Sequence, residues 1–338
     1  DIVKKQKRVL TRITTRGIHH LGNLVGAILP AIEASNQENT SSFLFLADYH
    51  SLIKNTDSEL THTSSFEIAA CWLACGLDPN KVIFYRQSDI SHIFELTWIL
   101  GCLTSKGLLN RAHAYKAAIS ENEENGLKDL DKGITMGLFN YPILMAADIL
   151  MFSADIVPVG QDQKQHIEMA RDIAIRFNHH YEDLLTPPEA QISDVTGVLP
   201  GLDGRKMSKS YKNTIPIFLD EKTLQKTIMK IKTNSLEPGE PKDSSNCNVF
   251  GIYKAIAAEG EIKELQKNYD EGISWGDAKK ILFENLNNFL LPYKQEYERI
   301  IQDRSFVESV LLEGSEKAKE VSTPLIEDVR KAVGIKGF

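Results

Sequence analysis

The chain of 338 residues is poor in cysteine, and it lacks an apolar run of about twenty residues, the length that a membrane-spanning helix needs. Its first residues, Asp1-Ile2-Val3-Lys4-Lys5, include no apolar segment of signal-peptide length. The four cysteines form no cluster with metal-ligand spacing, so we expect free thiols, which are typical of a reducing compartment. These absences predict a cytoplasmic protein with no membrane segment and no metal ion bound by protein ligands.

The sequence also lacks an excess of basic residues. Its formal net charge is −7, which excludes a surface that binds nucleic acid over its whole area and leaves a local basic face open. Hydrophobic residues make up 42% and charged residues 25%, as in an ordinary globular protein. The length is sufficient for two hydrophobic cores.

Strand-like and helix-like segments alternate from residue 7 to about residue 218. Apolar patterns predict strands at 8–13, 43–47 and 82–85 and helices at 22–35 and 65–76. This alternation predicts an α/β fold with a doubly wound parallel sheet, which binds ligands at the carboxyl ends of its strands.

The second part of the chain has a different pattern. The polar stretch 120–132 is interpreted as a loop or a helix break, and from about residue 218 apolar residues recur at helical spacing. We therefore predict two domains, an α/β domain over residues 1–218 and a helical domain over residues 219–338.

The first chemical motif is a glycine-bearing turn between the first predicted strand and the first predicted helix. It reads Thr14-Thr15-Arg16-Gly17-Ile18-His19-His20-Leu21-Gly22-Asn23. Free backbone N–H groups and the positive end of the helix dipole favour phosphate at such a turn. Gly22 allows a ligand to approach the backbone closely, and His20 can donate to a phosphate oxygen. A plain structural turn is the alternative interpretation.

The second motif is the glycine-led segment Gly204-Arg205-Lys206-Met207-Ser208-Lys209-Ser210. Its two lysines are mobile point charges three residues apart, so both can reach one polyphosphate. The serine hydroxyls add hydrogen-bond donors. A solvated charged loop is the alternative.

The third motif begins with Tyr141-Pro142-Ile143-Leu144-Met145-Ala146-Ala147-Asp148 and continues through residues 155–168. On a helix, Tyr141, Met145 and Asp148 share one face. A buried carboxylate needs a hydrogen-bond donor, and the thioether of Met145 suits a large ring. Asp148 as a helix cap or as half of a structural ion pair is the alternative.

Together these motifs resemble those of the bacterial-type tryptophanyl-tRNA synthetases, which are class I aminoacyl-tRNA synthetases. His20–Asn23 is similar to the family's "HIGH" signature, and Lys206–Ser210 matches its Lys-Met-Ser-Lys-Ser signature completely. The resemblance covers nearly the whole chain. It differs at Arg12, where the family usually carries glycine, and at Thr14–Arg16, where it often carries Gln-Pro-Ser or Gln-Pro-Thr.

The resemblance implies a Rossmann-like catalytic domain, a C-terminal domain that binds the tRNA anticodon, and a cytoplasmic homodimer. It also implies ATP with Mg²⁺, L-tryptophan and tRNA(Trp) as ligands. Lys206, Lys209 and His20 are the expected catalytic residues. The expected ATP contacts are Thr14, Thr15, Arg16, His20, Gly22, Asn23, Gly160, Gln161, Asp162, Val198, Lys206, Met207, Ser208, Lys209 and Ser210. The expected tryptophan contacts are Asp148, Met145, Tyr141, Gln163, His50 and Lys116.

Three other functions remain open at this point: a tyrosyl-tRNA synthetase, a non-catalytic relative that senses tryptophan or RNA, and a nucleotidyltransferase with a different acceptor. Tyrosyl enzymes tend to carry a glutamine where Met145 stands. His166 and Glu168 are close enough in sequence to suggest a metal pair, but we interpret them as a solvent-facing part of a helix.

Overall fold

The computed structural model describes residues 6–17, 19–192 and 199–338. Within them, five parallel strands form one sheet in the order β3-β2-β1-β4-β5. The strands are β1 (Lys7–Ile13), β2 (Thr40–Leu46), β3 (Ile83–Arg86), β4 (Ile156–Val159) and β5 (Glu189–Ile192). The chain winds outward from β1 in both directions, so the doubly wound, Rossmann-like fold is confirmed.

Helices connect the strands and then make up most of the C-terminal part. The first half contains α1 (Leu21–Asn23), a π-helical stretch (Leu24–Ile28), α2 (Leu29–Ser35), α3 (Ser58–Ala74), α4 (Ser91–Gly101), α5 (Lys106–Asn110), α6 (His113–Glu124), α7 (Met136–Leu150) and α8 (Lys164–His180). The second half contains α9 (Glu221–Met229), α10 (Asn248–Ile256), α11 (Glu259–Asp270), α12 (Trp275–Ile301) and α13 (Arg304–Val333).

Two helix boundaries differ from the prediction. Helix α3 starts at Ser58 rather than near Ser65, because the Asp57 side chain caps it by accepting from the Leu60 N–H. Helix α6 continues to Glu124, so the interpretation of 120–132 as a loop was wrong for its first residues. Their charged side chains lie on an exposed helix face, which tolerates charge as well as a loop does.

The sheet has a buried core on each face. Leu44 and Leu46 of β2 pack on the side that holds α3 and α12, whereas Phe43 and Phe45 pack on the side that holds α4, α7 and α8. This alternation follows from the strand period of two. Burial on both faces explains why β2 reads as a continuous apolar run.

The C-terminal helices pack directly on the sheet. Helix α13 covers the edge strand β3, and a Cβ atom at Gly314 would stand only 1.6 Å from the carbonyl oxygen of Phe84. Glycine at this position therefore permits the close approach, and the helix protects an edge that would otherwise be open. The division into domains at residues 218 and 219 stays a prediction.

The topology brings four loops to one edge of the sheet. The segments after β1, β2, β3 and β4 all leave the carboxyl ends of parallel strands, and β1 and β4 flank the point where the winding reverses. Crevices at such a point bind ligands in open α/β sheets. Over the described ranges, no helix has the length and apolar character to cross a membrane.

Candidate active site

The glycine turn and the lysine loop meet in space although nearly two hundred residues separate them. The Leu21 N–H donates to the carbonyl oxygen of Ile215 at 2.8 Å, which ties the segment after the lysine loop to the start of α1. The Lys209 ammonium lies over Gly17, where a Cβ atom would stand 2.5 Å from Nζ. Gly17 also has φ +78°, a conformation that glycine adopts without strain.

The glycine turn holds buried polar atoms that lack a partner in the described part of the chain. They are Thr15 Oγ1, His19 Nε2 and His20 Nδ1. Burial lowers the pKa of His19 to about 4, with a smaller contribution from His20, and burial also lowers the pKa of His20. Both rings are therefore neutral near pH 7. A buried polar group without a partner is costly, so this turn suits a polar ligand such as a nucleotide.

The turn is also held from within. The His20 N–H donates to Asn23 Oδ1 at 3.1 Å. A Cβ atom at Gly22 would stand 2.9 Å from the His20 ring and 3.6 Å from Met207 Cβ, so Gly22 leaves room where the two motifs adjoin. Met207 itself is buried, whereas Lys206, Lys209 and Ser210 are exposed.

Asn213 holds the lysine loop in shape, and its role was not found from the sequence. Its side chain is 2% exposed; Nδ2 donates to Asp203 Oδ1 at 2.8 Å and to the Lys206 carbonyl oxygen at 3.0 Å. Its Oδ1 accepts from the Ser208 N–H at 2.9 Å. The hydrogen bond from Asn213, together with those from Arg205, lowers the pKa of Asp203 to about 2. The two lysines thus project from a fixed backbone.

A cavity of about 230 Å³ opens beside the carboxyl end of β1. Its lining residues are Arg12, Thr14, Thr15, Arg16, Ala47, His50, Ser51, Ile53, Lys54, Ala114, Leu138, Tyr141 and Gln163. Six of the expected contacts therefore line this cavity: Thr14, Thr15, Arg16, His50, Tyr141 and Gln163.

A hydrogen-bonded chain joins two of these residues through His166. The Tyr141 hydroxyl lies 2.8 Å from His166 Nε2, and His166 Nδ1 lies 2.9 Å from Gln163 Oε1. Burial, and then the charge of Arg12, lowers the pKa of His166 to about 4. The amide oxygen only accepts, so neutral His166 donates from Nδ1 and accepts the Tyr141 proton at Nε2.

Our interpretation of His166 as solvent-facing was therefore wrong, because the ring is 4% exposed. Glu168, two residues further along α8, is exposed as expected. Among the residues that the structure describes, no group of three or more metal-ligating side chains is close enough to hold a metal ion. His166 thus links two residues of the cavity lining, Tyr141 and Gln163, by hydrogen bonds.

Asp148 lies behind the cavity wall, with 1% of its surface exposed. Its Oδ2 accepts from His50 Nε2 at 2.8 Å, and its Oδ1 accepts from Gln87 Nε2 at 2.8 Å. Gln87, which sequence reasoning missed, is fully buried and also accepts from the Tyr49 N–H at 3.1 Å. A carboxylate has about four lone-pair positions, so Asp148 keeps acceptor capacity beyond these two bonds.

The remaining expected contacts do not line this cavity. Met145 is buried in the core beside Asp148, and Lys116 is exposed on α6. Gly160, Gln161 and Asp162 follow β4 at the same sheet edge. Val198 lies outside the described residues.

Residues 4–291 match the family described as "tRNA synthetases class I (W and Y)". A tryptophan–tRNA ligase of Neisseria meningitidis is 54% identical over 331 residues, which cover 98% of this chain and 98% of the relative. One from Pseudomonas putida is 53% identical and covers 98% of this chain and 74% of the relative.

The fold agrees with a solved structure. The crystal structure of tryptophanyl-tRNA synthetase from Campylobacter jejuni, complexed with ADP and tryptophan, has a TM-score of 0.88 and 41% identity. It covers 97% of this chain and 99% of that one. The family match, the identity over nearly the full length and the shared fold agree. The chain therefore belongs to the class I tRNA synthetases for tryptophan and tyrosine, and within them to the tryptophan–tRNA ligases.

Proposed function

We propose that the protein activates L-tryptophan with ATP and transfers it to tRNA(Trp). In the first step a carboxylate oxygen of tryptophan attacks the α-phosphorus of ATP. The bond from that phosphorus to the oxygen that bridges the α- and β-phosphates breaks, and pyrophosphate leaves. In the second step a hydroxyl of the terminal tRNA ribose attacks the acyl carbon of the adenylate, and AMP leaves.

One observation carries this proposal: the Lys209 ammonium lies over Gly17, so that the lysine loop and the glycine turn form one site. A polyphosphate bound at the turn would meet both Lys206 and Lys209. Neither step needs a covalent enzyme intermediate, so catalysis consists of positioning and charge stabilisation. The lysines stabilise the charge that develops on pyrophosphate, and Ser208 and Ser210 add donors.

The other proposed nucleotide contacts belong mainly to the glycine turn or adjoin it. Thr15, His19 and His20 offer the unpartnered polar atoms, and Gly22 and Asn23 shape the turn. We assign Thr14, Arg16 and Met207 to the same site because they adjoin it. Gly160, Gln161, Asp162 and Val198 are proposed on the ribose and adenine side.

The relatives' names point to tryptophan, and the chemistry of the pocket is compatible with it. Because the Tyr141 proton is directed at His166, the phenol oxygen keeps lone pairs for an α-ammonium group. We propose that Gln163 helps to hold this ammonium, that Asp148 accepts the indole N–H, and that Met145 contacts the ring. His50 and Lys116 complete the proposed substrate contacts.

Mg²⁺ fits this site as an ion that arrives with ATP. Magnesium commonly binds through substrate phosphates and water, with few protein ligands. The groups that the described lysine loop presents to a polyphosphate are ammonium and hydroxyl groups rather than carboxylates. The ion would screen the charge of the leaving pyrophosphate.

We further propose that the protein is a homodimer. Trp98 is 77% exposed, and it lines a mostly apolar depression of about 890 Å³ together with Leu52 and Phe94. Exposed apolar patches of this kind mark interaction surfaces. Native mass measurement tests the assembly, and a monomer would contradict it. Trp98→Lys should convert a dimer to a monomer.

The helical region 219–338 is proposed to bind the tRNA anticodon, and the cytoplasm is the proposed compartment because tRNA is charged there. The experiment for the whole function is charging of a tRNA(Trp) transcript with labelled tryptophan and Mg·ATP. We expect tryptophanyl-tRNA to accumulate. Formation of adenylate without charged tRNA would restrict the function to the first step.

A further inference from the structure

The cavity beside β1 is lined by positive charge. Arg12, Arg16 and Lys54 all line it, and the described residues of its lining include neither aspartate nor glutamate. Cations gathered without a carboxylate repel one another, and that repulsion is relieved when an anion binds. The cavity is therefore suited to a ligand with a negative group.

Arg12 lies close enough to the proposed amino-acid contacts for its charge to act on Tyr141. It is half-buried near the carboxyl end of β1 and shares the cavity wall with Tyr141. Burial raises the pKa of Tyr141 and the charge of Arg12 opposes this rise; the same charge acts on His166. Within residues 6–17, 19–192 and 199–338, no side chain forms an ion pair or hydrogen bond with the Arg12 guanidinium.

We propose that Arg12 binds the carboxylate of the amino-acid substrate. The planar guanidinium offers paired donors that match the two oxygens of a carboxylate. An amino acid whose ammonium group contacts Tyr141 and Gln163 carries its carboxylate on the adjacent carbon, within the same small cavity. The inference rests on the proposed function for the identity of the ligand, and it adds a binding residue at a position where the family usually has glycine.

The contact between Arg12 and the carboxylate orients the amino acid for reaction. The carboxylate is the nucleophile of the first step, and holding it toward the α-phosphate favours in-line attack. Because the carboxylate is already present in the ground state, Arg12 acts mainly on substrate binding. Its removal should therefore raise the KM for tryptophan more than it lowers kcat.

Calorimetric titration of four proteins tests the proposal: the parent, Arg12→Met, Arg12→Lys and the control Arg176→Met, which removes an exposed arginine from α8. The ligands are tryptophan, ATP and tryptamine, which has the indole and the ammonium group but no carboxylate. We expect Arg12→Met to weaken tryptophan binding about ten- to a hundredfold, because a charge-assisted contact with the carboxylate is lost. Tryptamine should bind to Arg12→Met at least as tightly as it binds to the parent protein.

Arg12→Lys should give an intermediate loss, and Arg176→Met should match the parent. Four results for Arg12→Met would each overturn the proposal. They are an equal loss of affinity for tryptophan and tryptamine, a loss of affinity for ATP alone, unchanged affinities, and tighter binding of both indole ligands. The last result would show that Arg12 obstructs the cavity. Tryptophan-dependent pyrophosphate exchange by the parent is measured separately, so its absence refutes the proposed function while the titrations still report on Arg12.

Discussion

His50 donates from Nε2 to Asp148 Oδ2 at 2.8 Å, so the carboxylate proposed for the indole N–H already has a hydrogen-bond donor. The second oxygen accepts from Gln87. These two hydrogen bonds offset the free-energy cost of burying the Asp148 carboxylate, and they fix its orientation. They also fit the alternative in which Asp148 is a structural ion pair, so the two roles need an experiment that separates them.

Asp148→Asn keeps the shape of the side chain but can direct an amide N–H at another donor. Such an unsatisfied contact costs about 1–3 kcal/mol, and more when a charge is lost. We expect kcat/KM for tryptophan to fall roughly ten- to several-hundredfold at about 1.4 kcal/mol per decade. The affinity for ATP should stay within about a factor of three, because neither hydrogen-bond partner of Asp148 is a proposed nucleotide contact.

Exchange kinetics and a melting curve are measured together, with the exposed Asp172→Asn on α8 as the control. If Asp148 has a structural role, Asp148→Asn lowers the melting temperature and reduces kcat/KM for tryptophan and for ATP in parallel. Unchanged kcat and KM for tryptophan would remove Asp148 from the pocket.

Lys209→Ala removes the ammonium group that lies over Gly17. We expect adenylate formation to slow by roughly two to four orders of magnitude, as when a key transition-state donor is lost. Tryptophan binding should barely change. Lys254→Ala, which removes an exposed lysine far along the chain on α10, serves as the control. Equal exchange rates in Lys209→Ala and the parent would exclude this role.

Asn213→Ala removes four side-chain hydrogen bonds that hold the lysine loop, including those to Lys206 and Ser208. We expect kcat for pyrophosphate exchange to fall about ten- to a hundredfold, with an unfolding free energy lower by about 1–3 kcal/mol. The Kd for tryptophan should remain that of the parent. Trypsin should cleave after Lys206 and Lys209 faster in the variant, and equal cleavage rates would contradict the role of Asn213 as a support.

Sequence reasoning located the parts of the site that are continuous in the chain. The glycine turn, the lysine loop and the helix with Tyr141 and Asp148 each have a local pattern, and the structure brings the first two together. Gln87 and Asn213 were missed, and His166 was misassigned. Gln87 and His166 have partners 61 and 25 residues away in the chain, and Asn213 lies outside the lysine motif that it supports. A lone glutamine, histidine or asparagine in an unremarkable context carries no signal of the hydrogen bond it will make.

The fold was recovered for a similar reason. Buried parallel strands such as β2 have a strong apolar signature, and the alternation with helices predicts the topology. The start of α3 was misplaced because its cap, Asp57, precedes a polar first turn. Gly314 shows the limit of such reasoning: the sequence contains the glycine, but only the packing of α13 against Phe84 explains it.

His166 makes stability depend on pH in a defined direction. Its pKa is about 4 in the folded protein, because of burial, against 6.5 when unfolded, so between these values the unfolded chain binds more protons. Stability is therefore fully present above pH 6.5 and is lost as pH falls toward 4. We expect His166 to contribute a loss on the order of 2–3 kcal/mol over this window.

Urea unfolding of the parent and of His166→Gln at several pH values isolates this contribution, because His19 titrates in both proteins. The parent should lose more stability than the variant between pH 6.5 and 4. Parallel curves would show that His166 does not titrate in this way.

Amino-acid-dependent ATP–pyrophosphate exchange tests the central claim most directly. The purified protein is given Mg·ATP, labelled pyrophosphate and either tryptophan or tyrosine at equal concentrations. A site that recognises its substrate through a buried hydrogen bond can discriminate by about four orders of magnitude. We expect rapid exchange with tryptophan and none above background with tyrosine. Exchange that tyrosine supports as well as tryptophan, or no exchange with either amino acid, would contradict the account.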